Sequence, residues 1–124
     1  MNKSKIKGTS WETSIVNELT RLGFEARRVV LHGKEDQGDI HIEGLPVIIE
    51  AKNEKTYKLA EWIAEANTEA KNKPRMSNDD VEFSNLGVVW AHRKGRSDPL
   101  SGYVIMDGMT FSLILNYLSS ALKS

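Results

Sequence analysis

The strongest constraint on the fold comes from residues 39–52, where apolar and polar side chains alternate on either side of Gly44-Leu45. Alternation with a period of two is typical of β-strands, and a glycine-led pair between two such runs favours a tight hairpin turn. We therefore predict two antiparallel strands, Asp39–Glu43 and Pro46–Lys52. The predicted cross-strand pairs are Glu43 with Pro46, Ile42 with Val47, Ile40 with Ile49, and Asp39 with Glu50.

The hairpin divides its side chains between two faces of the sheet, because successive residues of a strand point to opposite sides. The face that we expect in the core carries Ile40, Ile42, Val47 and Ile49. The opposite face carries Asp39, His41, Ile48, Glu50 and Lys52. A shift of one residue would move the carboxylates into the core, so the apolar pattern fixes which residues share a face.

The rest of the chain predicts helices and further strands around this hairpin. Apolar residues at helical spacing indicate a first helix between the N-cap Ser10 and the C-cap Gly23, and a second helix over Leu59–Lys71. The other predicted elements are strands at Phe24–Leu31, Leu86–Ala91 and Tyr103–Met106, and a final helix at Met109–Leu122 capped by Asp107. The order αβββαββα predicts an α/β fold with a mixed central sheet, helices on both faces and an extra C-terminal helix.

Composition limits the kind of protein this chain can be. Its 124 residues suit one domain, residues 9–124, after a short basic arm, residues 1–8, that we expect to be flexible. The absence of cysteine excludes disulfide scaffolds, thiolate metal sites and cysteine nucleophiles. Basic and acidic residues both number 17, so any nucleic-acid partner is met by local patches. With no secretory signal and no apolar run long enough for a membrane span, we expect a cytoplasmic protein.

Asp39 and Glu50, opposite each other in the predicted hairpin, form the first candidate site. Two carboxylates in this position repel unless a cation lies between them. An all-oxygen site with few carboxylates suits Mg²⁺, which keeps several waters and binds substrate phosphates. Lys52 projects to the same side, where its ammonium can neutralise a phosphate oxygen or hold an attacking water. These residues have the chemistry of phosphodiester hydrolysis.

A further carboxylate, Glu12, borders the apolar stripe of the first helix. Burial of a lone charge is costly, so a lysine, an arginine or a metal is expected beside it. Glu12 is a candidate third metal ligand or a holder of metal-bound water; the alternative is a solvated glutamate near a helix start. His41 shares the face of Asp39, but a single histidine is more often a neighbour of a metal site than a ligand.

These residues bring the chain close to a known family: it resembles the PD-(D/E)XK nuclease superfamily, and most closely its small phage and archaeal members that are similar to Holliday junction resolvases. The resemblance extends from Glu12 to about Ala91 and combines Glu12, the pair Gly38-Asp39, the triplet Glu50-Ala51-Lys52 and the element order αβββαβ. Gly38 stands where the family motif has proline. The triplet alone occurs by chance in many chains, so the joint fit gives the resemblance its weight.

The resemblance implies a restriction-endonuclease-like fold and a metal-dependent endodeoxyribonuclease. Mg²⁺ or Mn²⁺ would be held by Asp39, Glu50 and the backbone carbonyl of Ala51, with Glu12 acting directly or through water, and Lys52 would assist the attacking water. Catalysis would thus depend on Glu12, Asp39, Glu50 and Lys52. The implied substrate is branched DNA, a four-way junction of recombination or repair, cut by a homodimer whose symmetry matches that of the junction.

Two alternatives to junction resolution stay open. The first is a nuclease of the same superfamily that acts on linear, flapped or damaged DNA in restriction or repair. The second is a DNA-binding module that has lost its activity. Substrate preference in such a fold is set by loops and dimer geometry, which the sequence of one chain does not display.

Basic and polar residues outside these motifs are candidate phosphate contacts, which position nucleic acid without reading its sequence. They are Arg27, Arg28, Lys34, Gln37, Arg93, Lys94 and Arg96. The alternative is that these residues lie in solvated loops and contact no nucleic acid. The apolar stripe of the last helix is expected in the core, with a dimer interface as the alternative; it comprises Phe111, Ile114, Leu115 and Leu118.

Overall fold

The computed structural model describes the backbone of residues 3–31, 34–78 and 81–123, and the side chains of residues 10–29, 39–75 and 83–123. Its helices are α1 (Lys3–Arg21), α2 (Leu59–Asn72) and α3 (Gly108–Lys123), with a short 3₁₀ turn at Pro99–Ser101. Its strands are β1 (Ala26–Leu31), β2 (Lys34–Ile42), β3 (Val47–Lys52), β4 (Met76–Asn78), β5 (Val81–Phe83), β6 (Leu86–Ala91) and β7 (Tyr103–Ile105). Within these ranges no helix is long and apolar enough to cross a membrane.

Five of the described strands form one mixed sheet in the order β1-β2-β3-β6-β7. Neighbouring strands are antiparallel except β3 and β6, which are parallel and are joined by the crossover that contains α2. The predicted α/β fold with a mixed sheet and helices on both faces is confirmed. The sequence did not predict β4 and β5, which pair with each other in a separate two-stranded sheet between α2 and β6.

The register of the central hairpin agrees with the prediction. Ile40 pairs with Ile49 and His41 with Ile48, so the same register continued by one residue sets Asp39 opposite Glu50. The predicted turn is wrong by one position: Leu45 N donates to Ile42 O at 3.2 Å, so the turn is centred on Glu43-Gly44. Gly44 has φ +83°, a left-handed conformation that glycine adopts without a Cβ penalty.

Two helices cover opposite faces of the sheet. The side chains of α1 pack on the apolar face of the hairpin, in a core formed by Trp11, Ile15, Leu19, Ile40, Ile42, Ile49 and Val88. On the other face α2 packs against β6, in a cluster formed by Trp62, Ala66, Val89 and Ala91. Gly87 allows this contact, because a Cβ at that position would lie 2.4 Å from the backbone oxygen of Ala66.

The ends of the helices follow the predicted signals with one exception. Gly23, at φ +100°, ends α1 in a Schellman arrangement in which Phe24 N donates to Leu19 O at 3.0 Å. Asp107 caps α3 by accepting a hydrogen bond from Thr110 N at 2.8 Å. The predicted start after Ser10 is wrong, because α1 begins at Lys3. The helix therefore takes in most of the segment that the sequence assigned to a basic arm.

Candidate active site

Three of the predicted site residues lie together on the sheet face covered by α2. Asp39, from β2, is buried with 2% of its surface exposed. Glu50 and Lys52, from β3, are largely covered, and Lys52 Nζ lies 3.7 Å from Glu50 Oε1. Strand alternation explains the arrangement, because the paired Ile40 and Ile49 point towards α1 and their neighbours must point away from it.

Helix α2 adds two carboxylates that the sequence analysis did not single out. Glu65 Oε2 accepts a hydrogen bond from Lys52 Nζ at 2.6 Å, a shorter distance than Lys52 makes to Glu50. Glu69 is hydrogen bonded to Asp39. The sequence did contain a signal, because Glu65 and Glu69 are four residues apart and each directly precedes an alanine of the buried stripe. Residues at this spacing share one face of a helix.

Burial and mutual repulsion raise the pKa of three carboxyl groups at this face. Burial raises the pKa of Glu50 to about 7, a shift that Lys52 opposes and that Glu65, Glu69 and Asp39 reinforce. Burial also raises the pKa of Asp39, although a hydrogen bond from Glu69 works in the other direction. The pKa of Glu69 is raised, first by burial and then by the negative charge of Asp39. A bound cation would relieve this repulsion.

One oxygen of Asp39 is left without a hydrogen-bond partner within the described residues. This atom, Oδ1, is buried. His41 Nε2 lies 2.8 Å away, but the contact lacks hydrogen-bond geometry. Burial, helped by the positive charges of Lys73 and Arg27, lowers the pKa of His41 to about 4, so its imidazole is neutral at physiological pH. A buried carboxylate oxygen in this condition is costly to leave unpaired, which fits a place for a cation.

The donor atoms at this face suit the metal that the sequence predicts. Asp39 and Glu50 offer hard carboxylate oxygens, and Mg²⁺ is usually bound through one or two carboxylates while it keeps several waters. Within the described side chains no group of three or more histidine, aspartate or glutamate residues is arranged to hold a metal. The residues therefore fit a cation that shares its coordination with water and a substrate, and not a closed protein cage.

Glu12 does not join this group. It lies on α1, on the opposite side of the sheet, where it is buried and forms an ion pair with Arg28 Nε. The cation that the sequence predicts beside this carboxylate is thus an arginine. Burial raises the pKa of Glu12 and Arg28 partly compensates. Glu12 acts on Asp39 only at longer range, as the smallest of the influences on its pKa.

Arg28, predicted to contact DNA, is thus already engaged by a buried carboxylate. Arg27 is exposed and forms a surface ion pair with Glu43 at 3.2 Å. The side chains of Lys34 and Gln37 lie outside the described residues. Ala51 lies between Glu50 and Lys52 on β3 and pairs with Trp90 on the neighbouring strand β6. A metal-binding role for the carbonyl of Ala51 stays a prediction.

The basic cluster after β6 lies at the same end of the sheet as Lys52. Lys52 pairs with Ala91, the last residue of β6, and His92 N donates to Lys52 O at 2.8 Å. The exposed turn that follows carries Arg93, Lys94 and Arg96. The guanidinium of Arg93 lies over the ring of Tyr103, 5.6 Å from its centroid. A nucleic-acid backbone bound at this turn would therefore pass close to Lys52.

Comparisons with protein-family models, with curated proteins and with solved structures find no match to this chain.

Proposed function

We propose that this protein is a metal-dependent endonuclease that hydrolyses phosphodiester bonds in DNA. The observation that carries the proposal is the convergence of Asp39, Glu50 and Lys52 on one covered face. One oxygen of Asp39 has no hydrogen-bond partner among the described residues, and the pKa of Glu50 is about 7. A purely structural set of charges would be expected to pair its buried oxygens. Perturbed carboxyl groups around a lysine are typical of sites that perform chemistry.

The topology supports assignment to the PD-(D/E)XK type. An antiparallel β1-β2-β3 unit is followed by a helical crossover to β6, parallel to β3, which is the order αβββαβ of a restriction-endonuclease-like core. Asp39 and the triplet Glu50-Ala51-Lys52 fall on β2 and β3, the strands on which that resemblance expects them. The small β4-β5 sheet and helix α3 are additions to this core.

Each residue of the site has a role in this proposal. Asp39, Glu50 and the carbonyl of Ala51 would hold Mg²⁺ or Mn²⁺, which when bound supplies Lewis acidity and lowers the pKa of water. Lys52, held by Glu65, presents an ammonium group that stabilises negative charge developing on the phosphate. In the metal-free protein burial raises the pKa of Glu50 to about 7, and a bound cation would favour its ionised form. Glu12, paired with Arg28, is left out of this set.

The exposed cations Arg93, Lys94 and Arg96 extend the site towards a nucleic-acid backbone. Contacts of this kind bind phosphates without reading sequence, which suits an enzyme selective for DNA structure. We therefore favour branched DNA, and four-way junctions in particular, as the substrate. Linear, flapped or damaged DNA is the second candidate, since the same cations would also bind an ordinary duplex.

The proposal is tested by incubating the protein with a labelled four-way junction and a linear duplex of the same sequence, with Mg²⁺ or EDTA. We expect paired nicks in the junction that disappear with EDTA, with Asp39→Asn and with Glu50→Gln, while the variants still bind the junction. Glu61→Gln is the control for loss of a carboxylate, because Glu61 is an exposed residue of helix α2 outside the site.

Equal cutting of the junction and the linear duplex would support a nuclease but contradict a preference for junctions. Junction binding without cutting, together with no heat of Mg²⁺ binding in calorimetry, would instead identify a DNA-binding module. Undiminished cutting by both Asp39→Asn and Glu50→Gln would overturn the assignment of the site.

A further inference from the structure

Exposed apolar and aromatic side chains occur in several places on the described surface, and their surroundings differ. On α3, Phe111, Leu115 and Leu118 were expected in the core, and this expectation is wrong because each is at least half exposed. No charged residue accompanies them between Asp107 and Lys123. At the end of the sheet that carries the candidate active site, in contrast, exposed tyrosines lie beside a cluster of cations. This second surface combines two kinds of group that recognise one class of ligand.

Tyr103 lies in the same row of the sheet as the lysine of the site. Lys52 of β3 pairs with Ala91 of β6, and Ala91 pairs with Tyr103 of β7. Paired residues on neighbouring strands share a face, and two strand spacings separate the Cα atoms of Lys52 and Tyr103 by about 10 Å. The face is the one covered by α2, because Ile105, two residues along β7, packs against the cluster of Trp62.

A second tyrosine extends this aromatic surface. Tyr57, in the connection from β3 to α2, meets Tyr103 edge to face, with 6.4 Å between the ring centroids. The hydroxyl of Tyr57 donates to His92 O at 2.6 Å, and its ring lies 5.1 Å from that of the buried Trp62. Tyr57 and Tyr103, which we call the tyrosine shelf, are nevertheless 37% and 47% exposed. Because Tyr57 is held on two sides, little conformational entropy is lost when a flat ligand binds the shelf.

Positive charge lies directly beside the tyrosine shelf. Residues 92–97 contain no carboxylate and three exposed cations, namely Arg93, Lys94 and Arg96. Asp98, which follows them, accepts a hydrogen bond from Ser101 Oγ at 2.6 Å. Aromatic rings beside cations are the combination that binds single-stranded nucleic acid, because bases stack on the rings while the cations attract the phosphates. Charge complementarity therefore favours a polyanion with flat bases as the occupant of this surface.

The contact of Arg93 with Tyr103 shows where a base can be placed. The guanidinium of Arg93 lies over the ring of Tyr103, 5.6 Å from its centroid, so this side of the ring already accepts a flat group. Guanidinium planes and nucleic-acid bases stack on aromatic rings in the same way. A base that takes this position would leave the Arg93 side chain available to a phosphate of the same strand.

The shelf discriminates against fully paired DNA. In a duplex each base is covered by its neighbours and presents only its edges in the grooves, so a protein ring stacks on a base only when that base is unpaired or extruded. Successive nucleotides of a stacked strand are about 3.4 Å apart. Tyr103, about 10 Å from Lys52, would thus contact a base within a few nucleotides of a phosphate bound at Lys52.

We propose that the tyrosine shelf binds an unpaired DNA base, which stacks on Tyr103 in the place that Arg93 occupies in the free protein, while Arg93 turns to a neighbouring phosphate. The inference rests on the proposed function, since it takes DNA as the substrate. It goes further by requiring unpaired bases within a few nucleotides of the bond that is cut. Branch points and flaps provide such bases, whereas an intact duplex does not.

Binding in EDTA tests the proposal without cleavage. The probes are a labelled oligothymidylate and the duplex that it forms with oligoadenylate, followed by fluorescence anisotropy. We expect Tyr103→Ala to weaken binding of the single strand at least about fivefold, the lower end of the loss when a stacked aromatic residue is replaced by alanine. Binding of the duplex should change by less than about twofold, because the contacts to phosphates remain.

Three control variants separate stacking from loss of structure or of charge. Tyr103→Phe keeps the ring and should bind both probes like the native chain. Phe24→Ala removes an aromatic residue that is 43% exposed beside the hairpin turn, at the opposite end of the sheet from Lys52, and should also bind both probes normally. Lys94→Gln should weaken binding of the single strand and the duplex alike. Circular dichroism verifies that every variant is folded.

Photocross-linking tests the contact directly. An oligothymidylate with one thymine replaced by 5-iodouracil should cross-link to Tyr103 in the native chain, as identified by mass spectrometry of the peptides, and this product should be absent with Tyr103→Ala. Cross-links confined to peptides away from the shelf would overturn the proposal. Equal loss of single-strand and duplex binding in Tyr103→Ala, unchanged binding of the single strand, or no binding of the single strand by the native chain would also overturn it.

The outcome for the shelf can be told apart from the outcome for the nuclease. Single-strand binding that depends on the ring of Tyr103, in a protein that cuts no DNA, would support the shelf and contradict the proposed activity. Cutting that requires Asp39 and Glu50, with no dependence of single-strand binding on Tyr103, would support the activity and overturn the shelf.

Discussion

Substitution of Gly87 by alanine tests the contact that sets helix α2 over the sheet. A Cβ at this position would lie 2.4 Å from the oxygen and 2.7 Å from the carbon of the Ala66 peptide, and 3.1 Å from Asn67 N. These are backbone atoms, so no side-chain rotation relieves the clash. Ordinary contact needs about 3.5 Å, so α2 has to move away from β6 by about 1 Å.

Such overpacking typically costs about 1–3 kcal/mol. For a domain of this size, that corresponds to a fall in Tm of roughly 4–12 °C. Thermal and urea unfolding followed by circular dichroism measure the change. Gly108→Ala, at the start of α3, is the control, because a Cβ there meets nothing within 4 Å and stability should not fall. If Gly87→Ala matched the native chain within about 0.5 kcal/mol, the tight packing of α2 on β6 would be refuted.

Two further changes follow from the site and the caps. In EDTA, Glu50→Gln should stabilise the protein above pH 7. Glu50 has a pKa of about 7 in the folded protein and 4.5 in the unfolded chain, so the folded state binds more protons between these two pH values. The free energy of unfolding of the native protein therefore falls as the pH rises from 4.5 to 7. The gain, on the order of 3 kcal/mol, should vanish below pH 4.5; a gain that is constant with pH would contradict the burial of Glu50. Asp107→Ala removes the acceptor for Thr110 N and for Asn67 Nδ2 and should cost about 1–2 kcal/mol in urea unfolding. Asp107→Asn, which keeps a cap acceptor, should recover most of the loss, and equal losses in both would argue against the cap.

The sequence predicted the hairpin and its faces well because strand periodicity alone determines them. Ile40 lies between Asp39 and His41, and Ile49 is followed by Glu50, so a register shifted by one residue would have buried Asp39 and Glu50 in the α1 core. The end of α2 was predicted equally well, because Pro74 follows the last residue of its apolar pattern. Such local patterns need no knowledge of which elements pack together.

The site features that the sequence did not predict depend on contacts between elements that are distant in the chain. The engagement of Arg28 by Glu12 requires β1 to lie against α1, and neither residue signals its partner. Glu65 and Glu69 differ from other surface glutamates only because α2 sits over β3, a consequence of the crossover. The start of α1 was wrong for a different reason: its apolar stripe begins near Trp11, but the backbone helix continues through polar residues before it.

The parallel pairing of β3 with β6 has a consequence for how the molecule assembles. β1, β2 and β3 follow one another and pair through short connections, whereas β6 joins only after the intervening chain has folded back across the sheet. Glu65 and Glu69 would thus meet the residues of β2 and β3 late in folding. Their repulsion with Glu50, partly offset by the Lys52–Glu65 ion pair, would oppose the final docking step. We expect amide hydrogen exchange to find β6 and β7 opening before β1 and β2, and added Mg²⁺ to slow that opening selectively.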